Sequence, residues 1–107
     1  MKRNIPFTTK QDIHRLSKDK KIILFGAGNI AEKTTRIIPQ NKLVAIVDNS
    51  TNLSGEIQFG VEIHTSNFLE TEHGKGSLII ITTTSFSDVS SQLEGLGFIP
   101  SVDFIVS

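Results

Sequence analysis

Residues 21–31 read Lys-Ile-Ile-Leu-Phe-Gly-Ala-Gly-Asn-Ile-Ala, an apolar run that stops at Gly26 and gives way to helical spacing from Asn29. A run without polar alternation is how a strand covered on both faces reads. The glycine stop leaves space for only a tight connection before the helix. This commits the chain to a sheet with helices packed on both sides. The helical pattern of 29–38 places Ile30, Thr34, Ile37 and Ile38 at three- and four-residue steps until Pro39 ends it.

The same alternation repeats along the chain. Leu43-Val-Ala-Ile-Val47 is a second buried strand and ends in the polar cluster Asp48-Asn49-Ser50-Thr51, while Val61-Glu62-Ile63 is a short third one. One or two helical turns over 66–72 lead through a mobile Gly-rich loop, which holds His73, to Leu78-Ile-Ile-Ile81, followed by Thr82-Thr83-Thr84-Ser85. A helix over 86–94, capped by Ser85, turns Phe86, Val89 and Leu93 inward, and residues 102–106 form a fifth strand. Ahead of all this, 8–19 reads as a short leading helix, with Thr8 and Gln11 spaced as a capping box and Phe7 placed as a staple.

Strands alternating with helices require right-handed crossovers. The expected fold is α/β, a Rossmann-like three-layer αβα domain with a parallel five-stranded sheet of order 3-2-1-4-5. A length of 107 residues accommodates one such domain, assigned to 21–107, with residues 1–20 as a leading helix packed on it. The last strand carries Val102, Phe104 and Val106 on one side and Ile105 on the other. Either a homodimer or a leading helix laid over Ile105 accounts for that.

Composition removes several function classes. Eleven basic and eleven acidic residues balance to zero net charge, so a nucleic-acid backbone or an anionic membrane surface is not an expected partner. Without cysteine there is no thiol nucleophile or thiolate metal site, and His14, His64 and His73 are scattered; no metal is expected. Without tyrosine the acid/base of short-chain dehydrogenases has no candidate in this chain. Neither a signal sequence nor a membrane-length apolar run stands out, which reads as a cytoplasmic protein without membrane insertion.

The turn Gly26-Ala27-Gly28-Asn29-Ile30-Ala31 has the form G-x-G-x-x-A between strand and helix. Gly26 permits the turn, Gly28 lets a pyrophosphate meet the backbone without a Cβ, and Ala31 lets the helix lie close to the sheet. Backbone N–H groups at Asn29 and Ile30 would face the phosphate. Asp48, twenty residues beyond Gly28, stands where a carboxylate can accept ribose hydroxyls. No Lys or Arg occurs between Asp48 and Thr65 to receive a 2′-phosphate, which favours NAD over NADP. Thr82 and Thr83, with Thr84 and Ser85, fall beside the expected cleft, and His64 falls at its rim. No carboxylate pair, Ser-His couple or Walker A triplet accompanies them.

Four pieces, Ile22-Ile-Leu-Phe-Gly-Ala-Gly-Asn29, Val44-Ala-Ile-Val-Asp-Asn49, Gly55-Glu-Ile with Gly60-Val-Glu-Ile63, and Leu78-Ile-Ile-Ile-Thr-Thr83, carry a resemblance from Lys21 onward. The chain resembles the CoA-binding-like, nucleoside-diphosphate-sugar dehydratase amino-terminal domains of bacterial capsule and surface-polysaccharide enzymes. That resemblance implies nucleotide, nucleotide-sugar or CoA binding, with phosphates at Gly26, Ala27, Gly28, Asn29 and Ile30 and the ribose or base near Asp48 and Asn49. The expectation is a nucleotide-binding module for NAD(H), not catalytic by itself, completed by a partner catalytic domain. Two alternatives stand beside it: a sugar-nucleotide dehydrogenase or dehydratase component, and a regulatory or oligomerising module with a vestigial pocket.

Overall fold

The computed structural model of the protein describes residues 10–39 and 41–106. Its elements are α1 (Lys10–Leu16), β1 (Lys21–Phe25), α2 (Asn29–Thr35), β2 (Leu43–Val47), β3 (Ile57–Gln58), β4 (Val61–His64), α3 (Glu72–Lys75), β5 (Ser77–Ile81), α4 (Phe86–Gly95) and β6 (Phe104–Val106). Single 3₁₀ segments lie at Thr51–Leu53 and Ser66–Glu70. The sheet order is β3-β4-β2-β1-β5-β6. Five of these strands are parallel, and β3 alone runs antiparallel, against β4.

The sheet therefore has six strands where the sequence reading expects five. The added edge strand folds back through Phe59 and Gly60, both at positive φ (54° and 81°). Two successive left-handed residues make the mirror-image turn that suits a two-residue hairpin, but the favoured first residue there is Asn, Asp or Gly. A phenylalanine in that place hides the hairpin from pattern reading.

Alternation along each central strand fills two cores. Ile23, Phe25, Ala45, Val47, Ile79, Ile81, Phe104 and Val106 meet Leu69 and the α4 residues Val89 and Leu93 on one face. Ile22, Leu24, Ile46, Leu78, Ile80 and Ile105 meet Ile13 of α1 and Ala31 of α2 on the other. β5 has neighbours on both edges and no exposed residue, and each of its isoleucines contributes about 1.5–3 kcal/mol through burial. Ile13 and Ile105 share one cluster, so the leading helix and the last strand contribute to the core on the same face of the sheet.

Lys42 secures that corner. Its ammonium donates to the carbonyls of Ser17 (2.6 Å), Lys18 (3.0 Å) and Lys20 (3.1 Å), joining the chain after α1 to the start of β2. Bonds from a charged donor are worth roughly 1.5–3 kcal/mol when the site is partly shielded.

Several boundaries differ from the sequence reading for local reasons. α2 stops at Thr35, short of Pro39, where the Thr34 and Thr35 hydroxyls donate back to Ile30 O (2.8 Å) and Glu32 O (2.6 Å). Such back-bonding by β-branched residues weakens a helix end. The last strand begins at Phe104 instead of 102, because Asp103 accepts the Ile99 N–H at 2.8 Å and closes a turn that leaves Val102 exposed. His73 belongs to α3, not to a mobile loop. There Gly74 lies so close to the 66–70 segment that a Cβ would fall 2.4 Å from Leu69 Cα. The capping box at Thr8 and the staple at Phe7 lie outside the described residues.

Candidate functional site

Strand order runs outward from β1 in two directions, to β2 and β4 on one side and to β5 and β6 on the other. Connections leaving β1 and β5 therefore part above the carboxyl edge of the sheet, and ligands of open α/β sheets lie in that opening. Here it is a crevice of about 280 Å³ lined by residues 26–30, Asp48 and residues 82–84. Three segments far apart in sequence are brought to one place.

The glycine turn is fixed from both sides. Gly26 donates its N–H to Val47 O at 2.8 Å, and its own carbonyl accepts the Thr82 hydroxyl at 2.6 Å. Its φ is +124°, and a Cβ would stand 2.8 Å from Thr82 O. Gly26 is thus required twice, by dihedral and by space. The Thr82 side chain, 1% exposed, is engaged in holding this turn.

Gly28 is different. Its backbone is extended (φ −96°, ψ −151°), and a Cβ placed on it would meet nothing within 4 Å. The folded chain gives no steric reason for a glycine there. Gly28 is exposed and lines the crevice, directly before the uncapped start of α2.

Asp48 is bonded directly to the turn. Its Oδ2 accepts the Ala27 N–H at 3.0 Å and its Oδ1 accepts the Ser50 N–H at 2.8 Å. A carboxylate has about four lone-pair positions, so two further donors can be received. Half-buried, Asp48 keeps those positions within reach of a ligand. It is the only charged residue lining the crevice among the described residues, and no Lys or Arg joins it. An anion here would be held by backbone N–H groups, without a cationic side chain.

A second hollow of about 170 Å³ adjoins the first and shares Gly26, Asp48 and Thr83 with it. Asn49 stands at its rim, paired with Gln92 of α4 by two amide hydrogen bonds, Nδ2 to Oε1 at 3.0 Å and Nε2 to Oδ1 at 3.3 Å. Thr83 Oγ1 accepts the Ser85 N–H at 3.2 Å, whereas the Ser85 side chain makes no capping bond to α4, contrary to the cap expected from sequence. Sequence reasoning missed Gln92 altogether, since a polar residue on an amphipathic helix carries no signal of what it faces.

His64 is placed beside the site but turned to other work. Its carbonyl accepts the Asp48 N–H at 3.0 Å, and its ring stacks on Phe68 at 4.2 Å between centroids. The crevice lining does not include it. His14 is exposed on α1. Among the described residues no group of three or more His, Cys, Asp or Glu is gathered that could hold a metal ion. No helix among them is long and apolar enough to cross a membrane.

A strand, a glycine turn and a helix at the switch point of a mostly parallel sheet, with an acid closing the neighbouring strand, define a Rossmann-like α/β domain. Within that class the chain belongs to the C2185-like N-terminal domain family, whose pattern matches residues 18–100. The fold is similar to that of the UDP-D-quinovosamine 4-dehydrogenase from Vibrio fischeri, with a TM-score of 0.57, 18% identity, and coverage of 81% of this chain and 75% of that one. No curated protein matches the chain in sequence.

Proposed function

We propose that this domain binds a nucleoside diphosphate, specifically the ADP half of NAD(H), as a module of nucleotide-sugar or surface-polysaccharide biosynthesis in the cytoplasm. The observation that carries the reading is Gly28, a glycine where the fold needs none, opening onto a crevice that Asp48 also lines. In this reading the diphosphate lies against the backbone of Gly26, Ala27, Gly28, Asn29 and Ile30, and Asp48 accepts the ribose hydroxyls with its two remaining lone pairs. Asn49 and Thr83 border the nucleoside. Thr82 acts from beneath, holding Gly26 in place.

NAD, when bound, supplies a hydride acceptor. This chain's residues bind and orient it, and the acid/base groups come from another domain or chain, since the crevice holds a single carboxylate and no histidine. Support for a sugar-nucleotide setting comes from the structural neighbour, whose name is that of a dehydrogenase of a UDP-linked sugar. The fit to NAD also rests on charge. A 2′-phosphate would sit beside Asp48 with no cation in the lining, and like-charge repulsion across a few ångströms at a partly shielded site costs on the order of 1–4 kcal/mol.

Competition between cofactors tests the reading. NADH is expected to bind at sub-millimolar concentration and NADPH at least about tenfold more weakly, a difference of roughly 1.4 kcal/mol. Equal affinity for the two would remove Asp48 from the ribose. Absence of binding by either would remove the dinucleotide.

A further inference from the structure

The free edge of the sheet at β3 is incomplete in a single chain. Antiparallel pairing of β3 with β4 alternates between bonded and non-bonded positions. Gln58 faces Val61 beside the two-residue turn, Glu56 O accepts the Ile63 N–H at 2.8 Å, and Ile57 faces Glu62 between them. That order turns the N–H and C=O of Ile57 away from β4, toward the free edge. Its side chain is 69% exposed, a β-branched apolar residue left in water on an edge strand. Two residues on, Phe59 is held at φ 54° and is 39% exposed. The left-handed region costs a residue of this kind roughly 1–2 kcal/mol, and the exposed part of the ring offsets none of it.

Natural sheets blunt their edges with lysine, proline or a covering helix or loop. Residues 55–60, Gly-Glu-Ile-Gln-Phe-Gly, contain neither lysine nor proline, and Glu56 is their one charge. The edge keeps a backbone donor, a backbone acceptor and apolar side chains, which is the chemistry that another strand satisfies.

This segment is complementary to itself. Of residues 55–58 only Ile57 turns both backbone groups outward, because the Gly55 N–H is bonded to Ile63 O at 2.8 Å and the Glu56 N–H to Leu53 O at 3.0 Å. An antiparallel pair about a twofold axis therefore has one register, in which Ile57 exchanges N–H and C=O with Ile57 of a second copy. Glu56 then falls opposite Gln58 of the second copy, a carboxylate against an amide donor and not against another carboxylate. Phe59 falls toward Gly55 of the second copy, where a Cβ would meet nothing within 4 Å. An aromatic side chain beside an edge glycine is itself a stabilising device of sheets.

We infer that β3 is a dimerisation edge, at which two copies of this chain join their sheets antiparallel across a twofold axis at Ile57. The second copy is the occupant because each group left without a partner at this edge finds its complement in the same segment. The inference does not depend on the nucleotide reading, since no residue of β3 lines the crevice at Gly28 and Asp48. So short a strand buries less than the standard area of about 800 Å² per partner, so the dimer is weak and reversible.

Sedimentation equilibrium over a concentration series up to about 1 mM, with melting temperatures recorded alongside, tests it. The unaltered chain is expected to dimerise with a Kd of roughly 10–500 µM. Ile57→Lys sets two ammonium groups opposite each other and is expected to weaken the dimer at least about tenfold. The melting temperature of the dilute monomer should not change, because the replaced side chain is exposed. Val102→Lys, at an exposed apolar residue before β6, is expected to leave the dimer as it was. A chain that stays monomeric at about 1 mM would overturn the inference. So would a dimer that Ile57→Lys leaves intact, and one lost only in Val102→Lys would move the interface to the β6 side of the sheet.

Discussion

Gly26→Ala is expected to destabilise the domain by about 2–4 kcal/mol, the combined cost of an L-residue at strongly positive φ and of overpacking a closed contact. The contact is with backbone: the new methyl would lie 2.8 Å from Thr82 O and 3.0 Å from its carbonyl carbon. Moving that carbonyl means moving the end of β5, whose Thr82 N–H is bonded to Phe25 O at 2.9 Å and whose hydroxyl is bonded to Gly26 O at 2.6 Å. Relief in one place breaks a bond in another. Against a typical total stability of roughly 5–15 kcal/mol, the melting temperature should fall on the order of 10–20 °C. A fall of only a degree or two would show that the two strand ends are not locked as described.

Gly28→Ala, two residues away, is expected to do the reverse. Its backbone lies outside the left-handed region and its Cβ would touch nothing, so stability should stay within about 1 kcal/mol, a small entropic gain set against the weaker helix-capping tendency of Ala. Binding should suffer instead. A methyl group standing between a phosphate and the turn lengthens the N–H to oxygen distances by an ångström or more. Charge-assisted bonds of this kind are worth roughly 1.5–3 kcal/mol each, which predicts at least a tenfold loss of affinity for NADH. Calorimetric titration together with thermal melting separates the two glycines: the expected loss is of stability at Gly26 and of affinity at Gly28. If Gly28→Ala binds as well as the unaltered chain, the phosphate is not at this turn.

The parts of the molecule legible from sequence are those where one physical requirement dominates. β1 and β2 are read at 21–25 and 43–47 because a strand buried on both faces has no other way to be written than as continuous Ile, Leu, Val and Phe. The glycine turn and Asp48 are legible for a related reason, since spacing along a strand–turn–helix fixes their meeting place. Legibility fails where two short-range preferences compete. Phe59 occupies a position that favours Asn or Gly, so the β3–β4 hairpin is written without its usual signal. Residues 66–75 divide into a 3₁₀ segment and a four-residue helix because Gly74 must approach Leu69 closely, a tertiary constraint that no local pattern records. The amide pair is the extreme case. Asn49 and Gln92 are ordinary surface residues until the fold places them opposite each other.

Dinucleotide binding in the crevice at Gly28 and Asp48 is the proposal on which these predictions rest. Its most direct test is a fluorescence titration of NADH with the purified domain and with Asp48→Ala, in which a chain lacking Trp and Tyr adds almost no emission of its own. Saturable enhancement of nicotinamide emission is expected at sub-millimolar concentration, with a loss of at least about tenfold in affinity when the Asp48 carboxylate is removed. A flat titration with the unaltered domain, or one that Asp48→Ala leaves unchanged, would contradict it.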